Sequence, residues 1–218
     1  ITSSNPKLTR GKVLYHYEKD IGYRADYPGH TDNSTWWMTA VIAPESETHI
    51  LNLGIVSDTS ATDCSLWIKG QGMTSTDTNP DHHTQVEING NQLFDEFWDG
   101  RILFSRKETF PQSWLVTGNN NFDLIGPGDT DASIDFLYVD FLEVVYWCDY
   151  VAINDSISFS ASSSGLRSLN LRGFGNSSAI SLFDISDSTN VKQIKNVLRL
   201  DDSLRFQYDV QGVQHFIA

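Results

Sequence analysis

The tripeptide Asp81-His82-His83 places a carboxylate and two imidazoles side by side, a donor set that could hold metal ions for phosphoester hydrolysis. That chemistry needs an α/β frame with further Asp ligands on other strands, and neither is visible in the sequence. The tripeptide follows Asn79-Pro80 and opens His83-Thr84-Gln85-Val86-Glu87-Ile88, so it reads as the start of a β-strand with a hydrogen-bonded imidazole. A thiol nucleophile would need a histidine and an orienting group beside it. Cys64 lies in Asp63-Cys64-Ser65-Leu66-Trp67-Ile68, a strand pattern with no glycine elbow and no helix start to activate it. Cys148 ends another strand pattern in Tyr146-Trp147-Cys148-Asp149. Both read as structural thiols; a bridge between them, which an extracellular setting permits, stays open.

Carboxylates such as Asp129, Asp131, Asp135, Asp140 and Glu143 could be paired into a glycosidase centre, but acidic composition alone scatters them this way. The loop Gly126-Pro127-Gly128-Asp129-Thr130-Asp131 offers oxygens suited to a structural calcium, with Asp129 and Asp131 the candidate ligands; it lacks the EF-hand order. No other cofactor is called for. A ligand site, if the chain has one, is expected where the loops Thr74 to His83, Phe97 to Arg101 and Gly126 to Asp131 could meet, because strands supply a frame and loops present polar groups; the favoured alternative is solvated acidic loops around a buried Trp98. Asp77, Asp81 and Asp99 would offer oxygens there and Trp98 a ring for stacking. Trp36 and Trp37 are adjacent in a strand pattern, so one ring faces each side of the sheet. One of them belongs to the core, and the other is either covered by the segment Tyr15 to Tyr27 or exposed as a platform. No Ser-His-Asp arrangement, P-loop, dinucleotide fingerprint or Cys-x-x-Cys is present.

The frame that must position these groups is all-β. The chain has 218 residues, enough for a sizeable core, and a net charge of −13, which repels nucleic acid over most of the surface. No apolar run approaches the roughly 20 residues that would cross a bilayer, so membrane insertion is not expected. The first residues have neither a basic stretch nor an apolar one, so any export signal has been removed or was never there. Two cysteines exclude a disulfide scaffold, and the acidic, Lys-poor composition favours secretion. Aromatic and β-branched runs bounded by turn residues predict strands at Lys12 to Tyr17, Thr35 to Ala43, Thr48 to Ser57, Cys64 to Lys69, His83 to Ile88, Ile102 to Phe110, Asn121 to Ile125 and Ser133 to Trp147. The last shows partial alternation, hence one covered face. Asn89-Gly90 takes positive φ readily at both centres of a type I′ turn and predicts a hairpin. Pro111 to Leu115 is the one short helical piece. After Tyr150 the segments become shorter and Ser-rich, which places a boundary between a unit at 1–150 and a small β module at 151–218 expected to continue past Ala218. Within that module the Ser160 to Gly165 stretch reads as a hairpin loop between strands around Phe159 and Leu169.

Three blocks resemble a known family in order and spacing. The first is His16-Tyr17-Glu18-Lys19-Asp20-Ile21-Gly22-Tyr23 ahead of Trp36 to Pro44. The second is Trp67-Ile68-Lys69-Gly70 through Asp81-His82-His83-Thr84-Gln85-Val86-Glu87-Ile88-Asn89-Gly90 and Phe97-Trp98-Asp99-Gly100. The third is Trp114-Leu115-Val116-Thr117-Gly118-Asn119-Asn120 with Asp135 to Tyr146. Together they resemble the non-catalytic N-terminal β region of gingipain-type cysteine peptidases. The resemblance implies a galactose-binding-like jelly-roll β-sandwich followed by a small β module, secreted or surface-held in a bacterium, with a downstream peptidase domain as its partner. The family's catalytic His and Cys lie in a separate α/β domain and match no position here, so no catalytic role is carried over and this chain is not expected to be an enzyme by itself. A carbohydrate-binding module is the alternative reading, with a glycan as partner. A jelly-roll hydrolase or lyase built on His82 and His83 is the third.

Overall fold

A computed structural model describes residues 6–24, 36–58, 60–61, 63–175 and 179–218. Thr35 of the expected Thr35 to Ala43 strand, and residues 25–27 of the Tyr15 to Tyr27 segment, lie outside the described residues. The described chain is β throughout, with a single 3₁₀ turn at Gln112–Trp114 where the short helical piece was expected. Among the described residues no helix is long and apolar enough to cross a membrane.

The larger compact unit takes Leu14–Leu53 and Asp58–Tyr146. It is a jelly-roll sandwich of antiparallel strands. One sheet runs in the order Leu103–Phe110, Cys64–Gly72, Phe136–Asp149, Arg10–Glu18, with Thr39–Ile42 also paired to Phe136–Asp149; the other runs Ser46–Leu53, Gly118–Ile125, His82–Ile88, Asn91–Trp98. Period-two alternation turns Leu66, Ile68, Val86, Ile88, Phe122 and Leu124 inward, all at 1 % exposure or less. Each such side chain contributes about 1.5–3 kcal/mol of transfer free energy.

The long strand alternates only in part for a physical reason. Its register against Cys64–Gly72 slips between Val139 and Phe141. The extra residue, Asp140, is a β-bulge: Leu137 and Val139 face inward before it, and Leu142, Val144 and Tyr146 after it. The hairpin at Asn89-Gly90 forms as read, with φ of 50° and 77° and Ile88 opposite Asn91. Asn89 does more than turn the chain. Its amide donates to Trp114 O and Asn120 Oδ1 at 2.8 and 2.9 Å and its Oδ1 accepts from Asn121 N, binding the hairpin to the neighbouring strand.

The second compact unit takes Trp147–Ala218 together with Gly54–Ser57 and the chain up to Val13. Two earlier segments thus join the C-terminal residues in this unit. Two four-stranded sheets make up this unit, in the orders Lys7–Leu8, Gly165–Leu171, Ser203–Val210, Leu198–Leu200 and Ser158–Ala161, Gln214–Ile217, Phe183–Asp184, Lys192–Gln193. Phe159, Leu169, Leu171, Phe206 and Phe216 close its core. The expected hairpin across Ser160 to Gly165 is corrected here. Ser158–Ala161 pairs with Gln214–Ile217, whereas Gly165–Leu171 pairs with Ser203–Val210 and Lys7–Leu8, so the loop crosses between sheets. Two strands that each bury one face read alike whether they lie side by side or on opposite walls of a core.

Candidate functional site

The tripeptide Asp81-His82-His83 is the point from which the site is built. The strand His82–Ile88 alternates, so its first two residues face opposite ways. His82 is fully buried and lies flat on the Trp98 ring, 3.8 Å between centroids at 6°. Its Nδ1 is 2.5 Å from Asp135 Oδ1 and its Nε2 3.2 Å from Thr74 O. The second Asp135 oxygen accepts the His83 backbone N–H at 3.0 Å. Asp81, also fully buried, accepts the N–H groups of Thr76 at 2.7 Å and Gly100 at 2.8 Å. Trp98 donates its indole N–H to Thr84 Oγ1 at 3.0 Å. Every polar group is thus satisfied, as burial demands, and three loops are tied to one strand end.

His83 faces the outer side of its sheet. Its Nδ1 is 2.6 Å from Asp129 Oδ1 and its Nε2 2.7 Å from Asp95 Oδ1, and its ring stacks on Phe97 at 3.8 Å and 19°. Ionised carboxylates only accept, so both bonds exist together only when both ring nitrogens carry protons. Burial works against the charged ring, but the bonds and charges of Asp129 and Asp95 outweigh it and raise the His83 pKa. In return His83, helped by the Gln85 and Gln92 amides, lowers that of Asp95.

The loops Thr74 to His83, Phe97 to Arg101 and Gly126 to Asp131 do approach one another, but the chemistry foreseen there changes. Trp98 is 7 % exposed and packed under His82, so it offers no stacking face. The Asp81 oxygens are occupied by backbone N–H groups. Asp77 and Asp99 are exposed at the rim. Asp129 is bound to His83, so a calcium ion would compete with an imidazolium for it, and the exposed Asp131 sits at φ 60° beyond it. Among the described residues no three His, Cys, Asp or Glu side chains converge as a metal-holding group. Cys64 and Cys148 are buried thiols, Cys64 donating to Gln112 Oε1 at 2.7 Å. Of the paired tryptophans Trp37 is core, at 3 %, and Trp36 is 45 % exposed.

Phe97 and Asp95 were not singled out by sequence. Counting back evenly from the Asn-Gly turn sets His83 opposite Glu96; a bulge between Val86 and Glu87 shifts the register by one and sets it opposite Phe97. Small register errors of this kind exchange the faces of a strand.

No family profile and no curated protein sequence matches the chain. Among solved structures it is similar over its whole length to part of dimeric latent PorU from Porphyromonas gingivalis, with a TM-score of 0.76 at 11 % identity. The two share a fold. The chain spans 21 % of the PorU chain. The likeness agrees with the all-β fold expected from the three sequence blocks. A second likeness, to the CBM36-1 domain of a multidomain xylanase from the hindgut metagenome of Trinervitermes trinervoides, covers 62 % of this chain and 96 % of that one. Its TM-score is 0.36 at 13 % identity, too slight to bear on function.

Proposed function

We propose that this chain is a non-catalytic accessory segment of a bacterial gingipain-like cysteine peptidase, secreted or held at the cell surface, which scaffolds and orients the peptidase domain of the same protein. One observation carries the reading: the whole chain matches in fold a part, 21 %, of the much larger chain of latent PorU. The surroundings of Cys64 are consistent with it: buried at the start of its strand, the thiol donates to the buried Gln112 amide oxygen.

The test uses the natural reading frame that contains this sequence. A Cys-His peptidase domain encoded in the same frame is expected, and deleting the present segment should reduce the yield of folded, protease-resistant peptidase. The purified 218-residue chain should leave casein intact. A frame without a peptidase domain, or casein cleavage that survives repurification, would overturn the proposal.

A further inference from the structure

The outer side of the His82–Ile88 and Asn91–Trp98 hairpin carries an arrangement that the accessory role does not use. Phe97 is 51 % exposed. One face of its ring is fixed on His83 at 3.8 Å, which leaves the opposite face to solvent. Beside it His83 grips Asp129 and Asp95 by their Oδ1 atoms. Asp129 uses no other oxygen among the described residues. Asp95 Oδ2 in turn accepts from the amides of Gln85 at 2.9 Å and Gln92 at 3.1 Å, which points both amides along the same face with their carbonyl oxygens unshared among the described residues.

We infer that Phe97, Asp95, Asp129, Gln85 and Gln92 form a subsite for a neutral sugar residue of a polysaccharide. A flat ring of fixed tilt suits the C–H face of a pyranose, and carboxylate and amide oxygens around its edge accept the hydroxyl protons. The groups are held before any ligand arrives, His83 fixing the ring and both carboxylates at once, so little ordering cost falls on binding. Two carboxylates against one imidazolium, on a chain of net charge −13, repel uronate or sulfate sugars, so the ligand class is neutral. The inference is independent of the accessory role and stands or falls separately from it.

Affinity electrophoresis of the 218-residue chain through native gels containing galactan, mannan, xylan or, as the anionic control, polygalacturonate tests the site. At least one neutral polysaccharide should retard the chain and polygalacturonate should not. Phe97→Ala should weaken retention by on the order of tenfold, the worth of one aromatic contact, and Asp129→Asn should weaken it as well. Phe97→Leu preserves apolar cover over His83 while removing the flat ring, so a variant that melts like the parent yet loses retention separates binding from folding. Retention by no neutral polysaccharide, retention unchanged in Phe97→Leu, or loss confined to Trp36→Ala would each overturn the assignment.

Discussion

Gly72 ends the strand Cys64–Gly72 beneath the Trp98 ring, and replacing it by alanine tests whether that packing holds the loop end of the sandwich together. A methyl group built on its Cα would lie 2.6 Å from Gly100 O, 2.7 Å from Cζ3 of Trp98 and 2.8 Å from its Cη2. Carbon contacts are comfortable at about 3.5–4.0 Å. The indole cannot withdraw, because His82 is stacked on it at 3.8 Å and its N–H is held by Thr84. The Gly100 carbonyl is likewise anchored, accepting the Ile102 N–H at 2.9 Å, and the Gly100 N–H is bound to Asp81. Overpacking of this kind costs about 1–3 kcal/mol, and with one backbone and two pinned ring atoms in the way the upper half of that range is expected. For a chain of this length that is a fall in Tm of roughly 4–12 °C, read by circular dichroism. Trp98→Phe removes the ring that carries Cζ3 and Cη2, so Gly72→Ala should cost at least about 0.5 kcal/mol less in that background. Gly100→Ala is the comparison: its φ is 81° but nothing lies within 4 Å of the added carbon, so it should lose only the roughly 1 kcal/mol of a left-handed backbone. Stability of Gly72→Ala within about 0.5 kcal/mol of the parent, or strict additivity with Trp98→Phe, would refute the reasoning.

Three further expectations follow from the same geometry. Gly90→Val should destabilise by about 1 kcal/mol or more through backbone conformation alone, since φ is 77° and the site is otherwise open; an unchanged urea midpoint would remove the primed turn. Iodoacetamide should label Cys64 and Cys148 slowly in the native chain and quickly after unfolding, because both are buried, and equal rates would contradict that burial. The His83 bonds stabilise fully below its unfolded pKa near 6.5 and are lost as pH rises through the raised folded value, while the depressed Asp95 contribution is present above its unfolded 3.8 and lost as pH falls through the lower folded value. Melting temperature should therefore fall more steeply for the parent than for His83→Gln from neutral to mildly alkaline pH. His16, raised against the effect of burial by Glu18 and Glu143, titrates in both proteins, so equal slopes would deny the clasp.

Much of the sandwich was legible because its signals are local. Aromatic and β-branched residues marked Cys64 to Lys69 as a strand, and Asn89-Gly90 marked its own turn. What escaped was non-local. Whether Ser158–Ala161 and Gly165–Leu171 pair or oppose each other depends on Gln214–Ile217 and Ser203–Val210, tens of residues away. The candidate site failed in the same manner. Trp98 and Phe97 are neighbours in sequence, and only the register decides which one meets the core; the bulge that fixes it leaves no mark stronger than Leu93 in an ordinary strand. Asp135 appeared as one carboxylate among many, although it carries both His82 and the His83 backbone.

The fate of Asp81-His82-His83 shows why chemistry-bearing side chains in a sandwich are so often structural. A loop end has backbone N–H groups that no ladder satisfies, and burying it requires acceptors. Asp81 takes two of them, and Asp135 takes a third together with an imidazole proton. Once a carboxylate is committed to such bonds, releasing it to a ligand or metal would leave each donor buried and unpaired, at about 1–3 kcal/mol apiece. The inward half of the tripeptide is therefore locked in its structural role. Only the outward half, where His83 aligns Asp95 and Asp129 beside an open ring, keeps oxygens that a ligand could reach without dismantling the fold. The proposed sugar subsite therefore draws on the sheet's outer face, and the loop cluster read from the sequence is the frame that holds it there.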